Sequence, residues 1–226
     1  MEHTLHRQLK ALYGARLEDQ EVAVDGYRID AVSRGRLIEI QQGSLSALRS
    51  KVACLLERHR VLIVKPLAAR KLLLKREVAG GEVISQRLSP AHETVWDLFP
   101  DLVHFVQVFP HPRLTLEVLL TEQIEYRCPM KRRRRRRGKE FRVEDRELQA
   151  VVSRHRLRTT ADLVKLLPAT LPAEFTTADL ALALSVPRWQ AQKIAYCLRM
   201  TGAAETVGKL RGSWIYSLTL PLRRVA

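Results

Sequence analysis

The sequence is poor in the features that announce several common chemistries. Cysteine occurs only at Cys54, Cys128 and Cys197, an odd count at wide spacing with no CxxC pair. That pattern gives neither zinc-ligand spacing nor a disulfide framework, and a reduced cytoplasm is the expected compartment. Long apolar runs are also missing. Stretches such as 61–64 and 114–120 are short and broken by charge, far from the roughly 20 residues that cross a bilayer. The first residues are charged and amphipathic, so no secretory signal is expected. No glycine-rich phosphate loop, thiol-nucleophile pattern or serine-hydrolase elbow is present, which sets those enzyme classes aside.

Acidic residues are the remaining deficit. There are 24 Asp and Glu against 39 Lys and Arg, a formal net charge of +15. With a pI near 10.4, the chain should attract a polyanion. Nucleic acid is the leading partner and an anionic membrane surface the weaker one. The 226 residues suffice for one large domain or two modest ones, each with its own core.

Hydrophobic spacing divides the chain. Leu5, Leu9 and Leu12 share a face at helical period, predicting a helix over 3–13. The period then drops to two. Val22 and Val24, then Tyr27, Ile29 and Ala31, then Ile38 and Ile40 alternate with polar neighbours, punctuated by Asp25-Gly26 and Arg34-Gly35. This reads as three antiparallel strands joined by tight turns. Ser44 suits a helix N-cap before a helix over 45–58. Residues 60–65 read as a buried strand ended by Pro66. Further on, a strand near 82–86, a helix near 94–108 and a strand within 114–126 are expected. A mixed sheet packed with helices follows from that order.

The turns place an acidic pair. With Arg34-Gly35 at the bend, Ser33 faces Arg36, Asp30 faces Glu39 and Arg28 faces Gln41. Period two sends Arg28, Asp30, Glu39 and Gln41 to one face. The first hairpin sets Glu21 opposite Asp30 on the same face. Carboxylates directly opposite one another repel, at about 0.2–1 kcal/mol. A shared divalent cation would offset that cost. Mg²⁺ accepts one or two carboxylates, with water and substrate phosphate completing its shell, and such a site can activate water against a phosphodiester. The plainer alternative is a pair of solvated strand charges bridged by Arg28. His3 and His6, three apart on the first helix, are expected as surface histidines.

Asp30 followed by Glu39-Ile40-Gln41 on the next strand resembles the PD-(D/E)XK nuclease superfamily, over roughly residues 1–66. The nearest likeness is to archaeal Holliday-junction resolvases and competence-associated CoiA-like proteins, in which E-x-Q can stand for E-x-K. The resemblance implies a restriction-endonuclease-like α/β fold with a mixed sheet and flanking helices over 1–128. It also implies that Asp30, Glu39 and the Ile40 carbonyl hold Mg²⁺ or Mn²⁺. Gln41 would contact phosphate or orient water, and Glu2 would supply a helix-borne carboxylate. The sequence departs from the pattern twice. Ile29 precedes Asp30 where proline is common, and the neutral Gln41 cannot stabilise developing charge. Arg28, Arg49 and Lys51 are candidates to supply the missing cation.

Residues 131–139, KRRRRRRGK, repel one another and bury nothing, so 129–142 reads as a basic linker. Arg132, Arg133, Arg134 and Arg135 in it could neutralise phosphates by counterion release. Beyond it, helices are expected at 144–155, 160–167, 177–184 and 187–201. In the last of these, Ala191, Ile194, Ala195 and Leu198 form the buried stripe. Two strands follow, 205–207 and 213–218, joined by a loop over 208–212. This resembles a winged helix, a smaller and mainly helical domain over 143–226. The resemblance implies that Arg188, Gln192 and Lys193 face DNA and that Lys209 and Arg211 on the wing reach phosphates. Trp189 and Trp214 are expected in the core or an interface.

These readings converge on a metal-dependent DNA endonuclease acting on branched or structured DNA. A homodimer is implied only by the resolvase likeness. The rivals are a non-catalytic DNA-binding or regulatory protein on a degenerate nuclease fold, and an interaction module whose C-terminal domain binds protein.

Overall fold

The computed structural model describes residues 3–14, 16–130 and 141–220. Glu2 and the arginine run with Arg132, Arg133, Arg134 and Arg135 lie outside the described residues. In chain order the elements are α1 (Thr4–Leu12), β1 (Gln20–Val24), β2 (Tyr27–Ser33), β3 (Arg36–Ile40), a 3-10 turn (Leu45–Leu48), α2 (Arg49–Leu55), β4 (Arg60–Arg76) and β5 (Val83–Leu88). A second 3-10 turn (Val95–Leu98), α3 (Phe99–Leu102), β6 (Leu114–Pro129) and β7 (Phe141–Leu157) complete the first part. Then come α4 (Thr160–Val164), β8 (Glu174–Phe175), α5 (Thr177–Leu184), α6 (Arg188–Met200), β9 (Ala204–Leu210) and β10 (Ser213–Leu218).

The architecture is α/β. A seven-stranded mixed sheet runs β1-β2-β3-β4-β6-β7, with β5 paired to β4, and a separate three-stranded sheet runs β8-β10-β9. The chain divides into two compact units: Met1–Ile40, Pro66–Thr94 and Leu119–Arg154 form one; Gln41–Lys65, Val95–Val118 and His155–Ala226 form the other.

The meander forms as the turn chemistry requires. Asp25-Gly26 and Arg34-Gly35 both adopt positive φ at both positions (49° and 79°, 51° and 70°). That is the I′ signature, whose twist matches the flanking strands. The turns fix the registers Val24↔Tyr27 and Ser33↔Arg36. Ile29, Ala31, Ile38 and Ile40 are buried.

The expected helix over 45–58 forms as a 3-10 turn and the shorter α2, and three elements differ more. β4 continues through Pro66 for 17 residues. Proline removes one ladder donor but leaves extended backbone accessible, and Leu67, Leu73 and Leu74 keep burying beyond it. Over 94–108 only a 3-10 turn and the four residues of α3 form. Pro100 lacks the N–H a longer helix would use and suits only its first turn. Most importantly, residues 144–155 are strand, not helix. They belong to β7 and so to the large sheet, not to the C-terminal domain. Their helix-forming Glu, Leu, Gln and Ala are overruled by cross-strand partners on β6. Arg146 Nε reaches Glu125 at 3.0 Å, Tyr126 Oη reaches Glu147 at 3.3 Å, and Arg142 Nε reaches the Cys128 sulfur at 3.0 Å. The helix α1 is pinned to β7 as well. Asp145 accepts from the Thr4 N–H at 2.8 Å, and Gln8 Oε1 accepts from the Leu148 N–H at 2.7 Å.

α5 and α6 sit where their periodicity places them, and α4 stops at Val164, short of the expected 167. Ala191, Ile194, Ala195 and Leu198 are buried, as are Leu163 on α4 and Leu180 on α5. Phe175 stacks on Tyr216 at 5.9 Å between ring centroids. Asp162 anchors the start of α4. Its carboxylate accepts from the N–H groups of Arg158 (3.0 Å) and Thr159 (3.1 Å) and from the Lys165 ammonium (2.9 Å). Burial opposes ionisation, but these donors prevail and hold the group at about 2. A carboxyl depressed on folding stabilises above its unfolded value and stops doing so as pH falls through its folded value. Asp162→Asn should therefore cost about 1 kcal/mol near neutral pH. The cost should vanish between the ordinary aspartate range and about pH 2, as urea unfolding of the two proteins across pH would show.

Candidate functional site

Asp30 and Glu39 occupy the adjacent strands β2 and β3. The observed ladder runs Ala31↔Ile38, Val32↔Leu37, Ser33↔Arg36 and ends just short of the two acids. The acid-bearing face is covered by α1. His6 Nε2 lies 3.2 Å from one Asp30 carboxylate oxygen, and the other accepts the Ile40 N–H at 2.7 Å. Lys10, one turn beyond His6, is 2% exposed and pairs with Glu21, which also takes Arg28. Glu21 itself has φ +56°, an uncommon conformation for a side-chain-bearing residue.

Burial pushes the Asp30 carboxyl up, but His6, the Ile40 N–H and the charge of Lys10 outweigh it and hold the group below the usual aspartate range. Asp30 is thus anionic at neutral pH, and Glu39 is deeper, 4% exposed.

Among the described residues, no group of three His, Cys, Asp or Glu could hold a metal ion. A cation here would rest on the two carboxylates and the Ile40 carbonyl, with water and a substrate phosphate. That donor set is oxygen-only and fits Mg²⁺ or Mn²⁺ better than a soft metal.

The other sequence-predicted residues fall differently. Arg28 stands on β2. It pairs across β1 with Ala23, is 75% exposed and salt-bridges Glu21. The Glu21 carboxylate thus reaches both Lys10 and Arg28. Gln41 follows β3, and its amide donates to the Ser44 carbonyl at the start of the next helical turn. Arg49 is exposed and Lys51 half-buried on α2. His6 is not a surface histidine, being 17% exposed against Asp30. Its signal was the i, i+4 spacing of His6 and Lys10 on the stripe flanking Leu5 and Leu9, which a helix lying over the acid face would aim downward.

On α6, Arg188 and Gln192 are exposed and Lys193 is half-buried. Lys209 belongs to β9 rather than to a loop, because the turn is only Arg211-Gly212, with φ 47° and 81°. Trp189 and Trp214 are not in the core. They are 52% and 50% exposed.

A second charged centre went unread in the sequence. Glu125 on β6 is 2% exposed and takes three cations: Arg127 at 2.6 Å, Arg146 at 3.0 Å and Lys71 at 3.7 Å. Burial raises its carboxyl, and the three cations more than reverse that.

Residues 3–158 match the family model described as "Domain of unknown function (DUF8091)". The chain belongs to this family. The DUF8091 match starts at the first described residue and stops one residue past β7, so it takes in the large sheet and leaves the C-terminal helices outside. An uncharacterized protein of Treponema pallidum (strain Nichols) is 29% identical over 178 residues, which cover 78% of this chain and 70% of that protein. No solved structure matches the chain. Among the described residues, no helix is long and apolar enough to cross a membrane.

Proposed function

We propose that this DUF8091 protein is a metal-dependent DNA endonuclease that hydrolyses phosphodiester bonds in branched or structured DNA. One observation carries the reading. Asp30 on β2 and Glu39-Ile40-Gln41 at the end of β3 lie within the order α1-β1-β2-β3-α2-β4, the order of a PD-(D/E)XK core. A bound Mg²⁺ or Mn²⁺ would polarise the phosphate and supply hydroxide. Asp30 and Glu39 would hold it, His6 would orient Asp30, and Gln41 would position water or phosphate. The C-terminal order α4-β8-α5-α6-β9-β10 supports a winged-helix reading, with Arg188, Gln192, Lys193, Lys209 and Arg211 against DNA. Such contacts position a protein without reading sequence. A cytoplasmic homodimer belongs to the same reading by analogy with junction resolvases.

A second reading has its own observation. Both Asp30 oxygens are engaged, by His6 and by Ile40, and the Gln41 amide is engaged by Ser44. A nuclease fold retained as a DNA-binding scaffold would look like this. Incubating the protein with linear, nicked and four-way-junction DNA, with Mg²⁺ or Mn²⁺, separates the two. Cleavage supports the enzyme; binding without cleavage under either metal supports the scaffold. No binding even at low salt removes both.

A further inference from the structure

We infer that the segment of α6 and the β9–β10 hairpin binds unpaired DNA by stacking nucleobases on Trp189 and Trp214, an inference that rests on the DNA-binding reading above. Both indoles are about half exposed, at 52% and 50%, so each leaves a large aromatic surface to solvent. Each has a lysine held over its ring. Lys193 Nζ lies 5.2 Å from the Trp189 centroid, and Lys209 Nζ lies 4.1 Å from the Trp214 centroid. On α6 the exposure continues as a stripe at helical spacing, with Tyr196 at 37% and Met200 at 45%.

An exposed aromatic patch could serve a protein or a nucleic acid, and charge decides between them. From Arg188 to Leu218 the cations are Arg188, Lys193, Arg199, Lys209 and Arg211, against the single carboxylate Glu205. Aromatic rings interleaved with cations suit a single strand, where the rings take base faces and the ammonium groups take phosphates. Duplex bases already stack on one another and offer only their edges. The ligand class is therefore a single-stranded or unpaired DNA segment, as occurs at a branch point.

The test uses the full chain, a labelled oligo-dT and a duplex of equal length. Trp189→Ala with Trp214→Ala should weaken oligo-dT binding by about tenfold or more, given the usual worth of a base–aromatic stack. Duplex binding should change by less than about twofold, since phosphate contacts remain. Trp189→Phe with Trp214→Phe should keep most of the oligo-dT affinity, because phenyl rings also stack. The inference is overturned if the alanine pair weakens both ligands equally or neither, or if the phenylalanine pair fails as badly as the alanine pair. Wild-type protein that binds neither ligand at low salt sinks the DNA reading itself. Wild-type protein that binds DNA indifferently to both tryptophans sinks only this inference.

Discussion

Glu39→Ala is expected to lower metal-dependent cleavage by about 10³-fold while leaving DNA affinity nearly unchanged. A resident cation supplies several kcal/mol of transition-state stabilisation, and each 1.36 kcal/mol is a factor of ten in rate. Glu39 is 4% exposed on β3, so it can hold an ion but makes little surface for DNA to touch. Asp30→Asn should match that loss with less structural cost, since an asparagine oxygen can still accept the Ile40 N–H that Asp30 now takes at 2.7 Å. His6→Ala should cost less, about 10–100-fold, as expected for a residue that only orients a ligand. Gln41→Lys should raise the rate, because an ammonium stabilises developing charge where an amide cannot. Single-turnover cleavage of a labelled junction, with binding measured separately in Ca²⁺, reads all four. Undiminished cleavage by the Glu39 variant would remove this site from the reaction.

Glu125→Gln should destabilise the fold by about 3 kcal/mol near neutral pH, the order found when one partner of a buried ion pair is lost. The carboxylate is 2% exposed and holds Arg127, Arg146 and Lys71 together on neighbouring strands. An amide of the same shape would leave three cations without their shared counter-charge. The pH dependence has a definite sign. The Glu125 carboxyl is held below its ordinary value, so its contribution is full above the unfolded glutamate range and fades as pH falls through the folded value. The gap in urea midpoint between wild type and variant should therefore close in acid. A gap that persists unchanged well below the carboxylate range would show that shape, not charge, is at work there.

Much of the local structure was legible because it is decided locally. Two glycine-containing turns with positive φ at both positions set the register of β1, β2 and β3. Once the register is set, a period of two decides which side chains share a face. The stripe through Ala191, Ile194, Ala195 and Leu198 placed α6 in the same way. The ion pairs of Glu21 with Lys10 and Arg28 were not legible, because they need a helix and a strand brought together by the fold.

Residues 144–155 failed for a different reason. Their composition suits a helix, and only pairing with β6 makes them strand. That pairing supplies the partners of Arg142, Arg146 and Glu147.

The amino-acid order alone determined the cationic character, the hairpins and the placing of Asp30 and Glu39 on adjacent strands, because each depends on composition or on neighbours a few residues away. The tertiary structure alone decided that α1 lies over those acids with His6 and Lys10 turned inward, and that both tryptophans face water. Contacts such as Thr4 to Asp145, 141 residues apart, fix where a helix comes to rest. Local periodicity carries no information about a partner that distant.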